Sequence, residues 1–197
     1  MSRVFTTIDF MRHGEPVGGS RYRGQIDDPL SELGWQQMQD AVPDEIPWQK
    51  IVTSPLIRCQ AFAEELAQSS GLPVAVDERL QEVGFGVWEG MTRNQLRADD
   101  PHILQRFFSD PVANRPQGAE ALSDFKQRVS AAIDDVVNQS PGQHVLVIAH
   151  AGVIRAAMCY ALGSPIEHMF RIKVSNASMT RLQFVPGSEA SLLFHEG

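Results

Sequence analysis

Apolar positions from Val4 to Met11 predict a first strand, which ends at the polar triplet Arg12-His13-Gly14. The segment from Glu15 to Pro29 is rich in glycine and proline and predicts a loop. Ser31 then has the character of an N-cap, with Glu32 in the first turn of a helix running to about Val42. Lys50 to Thr53 predicts a second short strand. Ser54 and Pro55 follow as the N-cap and first position of a helix that ends at Gly71. Leu72 to Asp77 is a further short strand. Residues 78–118 carry Gly84, Gly86, Gly90, Pro101, Pro111 and Pro116, which interrupt any long element. Leu122, Phe125, Val129, Ala132, Ile133, Val136 and Val137 then recur at the spacing of an amphipathic helix.

From His144 to Ala149 the chain is nearly continuously apolar, as in a strand covered on both faces of a parallel sheet. A helix is expected from about Gly152 to Leu162, with late strands at Lys173 to Val185 and Ser191 to His195. This alternation predicts an α/β fold with a doubly wound, mostly parallel sheet and helices on both faces, forming a single domain over residues 1–197.

Composition narrows the function. Hydrophobic residues make up 43% of the 197 positions, enough for a substantial core. The formal net charge of −7 disfavours nucleic acid and anionic membranes as partners, so a phosphate site must be a local exception. Lysine occurs only at 50, 126 and 173, and arginine, whose fork suits phosphate, supplies the other positive side chains. Met1 to Thr7 lacks the apolar stretch of a signal peptide, and no window approaches the length of a membrane span. Cys59 and Cys159 are read as small core residues on helices, and the chain as cytoplasmic.

Three segments share one design: an apolar strand, then polar or charged groups, then the start of a helix or loop. They end in Arg12-His13-Gly14, in Ser54-Pro55-Leu56-Ile57-Arg58 and in His150-Ala151-Gly152. Ligands of open parallel sheets bind at the carboxyl ends of strands, so this layout gathers His13, Arg58 and His150 on one edge. Arg58 is expected in the first turn of its helix, where free N–H groups also favour an anion. Two histidines and two arginines there make a pocket for a dianion.

These segments, with two others, resemble the blocks of the histidine phosphatase superfamily, the phosphoglycerate mutase-like group. Arg12-His13-Gly14-Glu15 resembles its signature motif, and Asp28 to Gly34 the start of its first helix. Ser54 to Cys59, Gln81 to Gly90 and Ala149 to Arg155 resemble its other blocks, in order. The resemblance implies His13 as nucleophile, Glu82 as proton donor, and Arg12, Arg58 and His150 as phosphate ligands, with no metal and no cofactor. Taken on residues alone, Glu82 stands level with Glu78 and Glu89. Pro16 stands where the group usually has Thr or Ser, the Asn common soon after is absent from Val17-Gly18-Gly19, and Ala151 stands where Gly is frequent.

Phosphoglycerate mutases carry a longer middle segment with extra basic residues. The stretch from Gly90 to Gly118 is short and has no such cluster, which favours a phosphatase acting on a small phosphorylated substrate. The Arg21-Tyr22-Arg23-Gly24 loop and the Gln117 to Leu122 helix start resemble the α-ribazole phosphatases, implying α-ribazole 5′-phosphate as a candidate substrate and Arg23 as a contact to its non-phosphate part. Mutase-type transfer and non-catalytic binding of a phospho-ligand are the alternatives. A metal hydrolase is disfavoured, because no His-x-His or His-x3-His spacing occurs.

Overall fold

The computed structural model describes residues 4–185 and 190–197. Six strands form one sheet: β1 Thr6–Arg12, β2 Lys50–Thr53, β3 Val74–Val76, β4 His144–Ala149, β5 Met179–Phe184 and β6 Ser191–His195. Their order is β3-β2-β4-β1-β5-β6, with β1 to β4 parallel and β5 and β6 antiparallel. Six α-helices accompany them: α1 Glu32–Asp40, α2 Ile57–Ser70, α3 Arg93–Asp99, α4 Ile103–Ser109, α5 Leu122–Gln139 and α6 Ala151–Ala161. None of the described helices is long and apolar enough to cross a membrane.

The period of two along the central strands sorts their side chains between the two faces. Ile8, Phe10, Val145 and Val147 pack on one side against α5 and α6. Met11, Leu146, Ile148 and Ile51 pack on the other against α1 and α2. All seven apolar positions expected on the amphipathic helix are buried in α5. Cys59 and Cys159 are free and buried, on α2 and α6. A smaller cluster of Trp88, Leu96, Leu104 and Phe107, joined by Tyr22, Phe85 and Phe170, holds α3 and α4 to the rest.

Several boundaries differ from the sequence reading, two of them for a visible tertiary reason. Helix α2 begins at Ile57 instead of Pro55, and Ser54 is not its cap. The Ile57 N–H is taken by Asp27 Oδ1 at 2.6 Å, from a loop 30 residues earlier, so this helix end is already satisfied from within the chain. The last long strand starts at Met179, not Lys173, because residues 173–178 turn back over β1. There the Val174 carbonyl accepts from Arg12 Nη1 at 2.7 Å, and Ala177 takes a positive φ of 53°. The third strand is trimmed to Val74–Val76.

Pro16 is accommodated because its missing N–H falls between two bonds, Val17 N–H to Pro29 O and Ser31 N–H to Glu15 O, both at 2.9 Å. Gly14 and Gly34 let the β1 loop and α1 touch backbone to backbone. A Cβ on Gly14 would collide with the Gly34 carbonyl.

Candidate active site

A cavity of about 320 Å³ opens at the carboxyl ends of β1, β2 and β4. Arg12, His13, Arg23, Arg58 and Glu82 line it, so five of the six side chains singled out in the sequence come together there. His150 is wholly buried behind them. Its ring meets His13 edge-on, with centroids 5.2 Å apart and planes at 63°.

His13 follows the last residue of β1 and is only 6% exposed. Its Nδ1 lies 2.7 Å from the Gly14 carbonyl. A carbonyl can only accept, so Nδ1 carries the proton and Nε2 keeps a free lone pair. Burial, reinforced by the charges of Arg12 and Arg58, pushes the His13 pKa well below the usual histidine value. The imidazole is therefore neutral at pH 7. Burial and Arg58 do the same to His150.

Ser54, read in the sequence as a cap, stands 2.7 Å from His150 Nε2. The Leu56 N–H donates to the same hydroxyl oxygen at 3.3 Å, which holds the Ser54 side chain against His150. Cys59 Sγ also touches the His150 ring, at 3.7 Å from Nε2. Burial raises the Cys59 thiol pKa far above its ordinary value, so it acts there as packing and not as a thiolate.

The two central arginines are anchored through their terminal nitrogens. Arg58, 1% exposed, donates to the Ile26 carbonyl at 2.7 Å and to the Gly24 carbonyl at 2.9 Å. Arg12 donates to Val174 O, as described above. Burial lowers the Arg12 pKa to about 10, partly offset by Glu82, and leaves it charged at pH 7. In both arginines the Nε–H is buried without a hydrogen-bond partner among the described residues. An unmet donor in a buried place typically costs about 1–3 kcal/mol, more when charged, so two side by side call for an acceptor.

Glu82 reaches the cavity from the irregular stretch after Leu80. Its Oε1 accepts from the Val83 N–H at 2.9 Å, and its Oε2 from the Gly152 N–H, near the start of α6, at 3.1 Å. The two carboxylates level with it in the sequence sit elsewhere. Glu78 pairs with Gln81, and Glu89 ties the Phe85 and Gln25 N–H groups together. Arg23 is committed to the 17–28 loop through Asp28 at 3.0 Å and the carbonyls of Val17 and Gly19 at 2.7 and 2.6 Å.

Several lining residues had no role in the sequence reading. Arg155 lies one helical turn beyond Gly152 on α6, a spacing that places both on the same face. Arg93, from the middle segment read as lacking a basic cluster, also lines the cavity, as do Tyr22, Phe108 and Phe170. No group of three His, Cys, Asp or Glu side chains arranged to hold a metal occurs among the described residues.

The model of the histidine phosphatase superfamily (branch 1) matches residues 8–196. The chain belongs to this superfamily. It is 33% identical to glucosyl-3-phosphoglycerate phosphatase of Mycobacterium tuberculosis over 196 residues, covering 91% of this chain and 86% of that protein. Phosphoserine phosphatase 1 of Hydrogenobacter thermophilus is 31% identical over 175 residues, covering 85% of this chain and 82% of its own. A bifunctional protein of M. tuberculosis is 29% identical over 192 residues, which cover 95% of this chain but 52% of that protein. The chain thus spans about half the length of some curated relatives that it matches. Among solved structures of the superfamily, the mycobacterial glucosyl-3-phosphoglycerate phosphatase superposes with a TM-score of 0.84 at 29% identity, over 96% of this chain and 97% of that one. The α-ribazole phosphatase of Shigella flexneri superposes with a TM-score of 0.82 at 25% identity, over 97% of this chain and 96% of that one.

Proposed function

We propose that this chain is a phosphomonoesterase that acts on a small phosphorylated metabolite through a phosphohistidine intermediate. The observation that carries the reading is the pair of buried, unpartnered Nε–H donors of Arg12 and Arg58 beside a neutral imidazole. In a histidine phosphatase these parts divide the work simply. The free lone pair of His13 Nε2 attacks phosphorus, the N–P bond forms, and the P–O ester bond breaks. Glu82 supplies the proton that the departing oxygen needs. Water then attacks phosphorus and gives its proton to Glu82. The N–P bond breaks, releasing inorganic phosphate and neutral imidazole.

Arg12 and Arg58 act on the charge spread over the phosphoryl oxygens, and their anchored side chains need no reorganisation during the reaction. His150 stands edge-on to the His13 ring, where a small opening of the cavity floor brings it to the phosphoryl group, and its Nε2 is paired with the Ser54 hydroxyl. The Arg23 ion pair holds the loop that carries Gly24 and Ile26, and through their carbonyls it steadies Arg58. Arg23 also lines the cavity, where a direct contact to the non-phosphate part of the substrate stands beside that role.

Relatives in the family carry the names of three different substrates. The likeness of the Arg21-Tyr22-Arg23-Gly24 loop to the α-ribazole phosphatases keeps α-ribazole 5′-phosphate in the candidate set. The proposal is tested by turnover of a phosphomonoester panel in excess chelator. Hydrolysis should persist, because the arginines supply the positive charge that a metal gives in other phosphatases. Activity lost with EDTA and restored by Mg²⁺ or Zn²⁺ would overturn it.

A further inference from the structure

Glu82 stands on an irregular stretch of chain. One short turn, Glu78–Leu80, precedes it, and no strand or α-helix carries it. The carbonyls of Arg79, Gln81 and Glu82 meet no backbone N–H among the described residues. Leu80 and Val83, each 2% exposed, plug the segment into the core beside α5. Two apolar anchors fix a loop less finely than proton transfer demands. A group that must meet a reacting oxygen to within a fraction of an ångström needs a support of its own.

That support is Arg128, on α5. Its Nη1 donates to the carbonyls of Arg79 and Gln81, both at 2.7 Å, and its Nη2 to the Glu82 carbonyl at 3.1 Å. Nε and the other Nη2 hydrogen hold Glu120 Oε1 and Oε2, at 2.7 and 2.8 Å. Every N–H donor of the guanidinium is thereby taken. Arg12 and Arg58 each keep a donor for a ligand, whereas Arg128 keeps none and is not among the residues that line the cavity. Glu120 completes the brace at the far end of the stretch. Its Oε2 accepts from the Gly84 N–H at 3.2 Å, and its own N–H donates to the Gly84 carbonyl at 3.0 Å. The guanidinium also lies over the Phe125 ring, 4.7 Å from its centre, which holds the fork in one plane.

We infer that Arg128, braced by Glu120, is a positioning residue for Glu82: it sets where the proton donor stands without touching the phosphoryl group. This rests on the phosphomonoesterase reading above and on Glu82 as its acid. The clamp fixes the backbone on both sides of the Glu82 side chain, and the Gly152 N–H then receives the carboxylate. Lysine in place of Arg128 would keep the charge but lose the planar fork that spans three carbonyls and a carboxylate.

The test compares Arg128→Met, Arg128→Lys and Glu120→Gln with wild type in single-turnover phosphorylation by glycerol 3-phosphate and by p-nitrophenyl phosphate. A misplacement of about 1 Å typically costs on the order of 10²-fold, so Arg128→Met should slow the alkyl ester by about that factor. The loss should fall on the saturating rate, with little change in the concentration that half-saturates. The p-nitrophenyl ester, whose phenolate leaves without a proton, should slow far less. Arg128→Lys and Glu120→Gln should show the same contrast at smaller size, and they carry the test should Arg128→Met fail to fold. Equal losses on both esters, or wild-type rates in both milder variants, overturn the inference. A Glu82→Gln enzyme without the leaving-group contrast would instead remove Glu82 as the acid, and an enzyme that turns over no ester would end the phosphatase reading. In either case amide exchange at Gly152 decides the positioning alone. Gly152 lies in the first turn of α6, where an N–H has no intrahelical partner, and Glu82 is what holds it. Its exchange should quicken in Arg128→Lys towards the rate in Glu82→Ala, while the β4 amides report overall stability. A Gly152 rate that changes no more than those of β4 overturns the inference.

Discussion

Gly152 offers a way to remove the proposed acid without touching it. A Cβ built on Gly152 falls well inside van der Waals contact of Glu82 Oε1, 3.1 Å from its Cδ and 3.2 Å from Val83 Cγ1. The far end of a glutamate side chain is what can yield, so Gly152→Ala should fold and should evict the carboxylate from its two N–H partners. Alanine is favoured over glycine inside helices by about 1 kcal/mol, which offsets part of the lost hydrogen bonding. The melting temperature should therefore move only a few degrees.

The reaction should suffer far more. A positioned general acid is worth roughly 10²–10⁴-fold, or about 3–5 kcal/mol of barrier. That loss applies to alkyl phosphates, whose alkoxide leaves badly without a proton. With p-nitrophenyl phosphate the phenolate departs unaided, and the loss should be much smaller. Single-turnover phosphorylation rates are the right readout, because Glu82 also serves the water step. Glu82→Gln should show the same leaving-group contrast, and Glu78→Gln should not. If Gly152 acts only through Glu82, the double variant Gly152→Ala/Glu82→Gln should be no slower than Glu82→Gln alone. Additive losses, or a Gly152→Ala enzyme with wild-type rates on alkyl esters, would show that Gly152 does not act through Glu82 or that Glu82 is not the acid.

Two other outcomes are expected. Arg58→Ala should lower kcat about 10²–10³-fold, the usual loss of one pre-aligned donor, and should weaken phosphate binding as well. It should also free the Gly24 and Ile26 carbonyls, measurable as faster amide exchange in that loop, and kinetics equal to wild type would place Arg58 outside the reaction. The second outcome concerns acid. His13 and His150 have folded pKa values pushed below the unfolded value near 6.5, so their contribution to stability is present above that pH and fades below it. Two such groups steepen the loss by up to about 2.7 kcal/mol per pH unit as the unfolded chain takes up both protons. Urea titrations from pH 7.5 to 5 should show this, with about half the added slope gone in His13→Asn. A pH-independent stability across that range would contradict buried, neutral imidazoles.

Much of the site was legible because sheet geometry does the gathering. Once β1, β2 and β4 are adjacent and parallel, whatever follows their carboxyl ends must meet, and His13, Arg58 and His150 do. What the sequence hid depends on distant contacts. Ser54-Pro55 has the look of a helix start, yet Asp27 caps α2 from 30 residues away and frees Ser54 for His150. The Lys173 to Ser178 stretch has strand-like composition, but its turn is fixed by Arg12 and the His13 carbonyl, from the other end of the chain. Residue type alone left Glu82 level with Glu78 and Glu89; the family resemblance singled it out, and the structure shows that it is the one reaching the Gly152 N–H. Arg155 was within reach of pattern alone, since it shares a helix face with Gly152. Arg93 and Tyr22 were not, because the small cluster of Trp88, Leu96 and Phe107 sets where α3 stands.

In the proposed reaction phosphorus is bonded to His13 during turnover. Rapid acid-free quenching of a reaction with a ³²P-labelled phosphomonoester, followed by digestion and mass spectrometry, tests it directly. Label should appear on the peptide containing Arg12-His13-Gly14, survive alkali, be lost in acid as a phosphoramidate, and be absent from His13→Ala. Label on another side chain, or full turnover by the His13→Ala variant, would contradict the account.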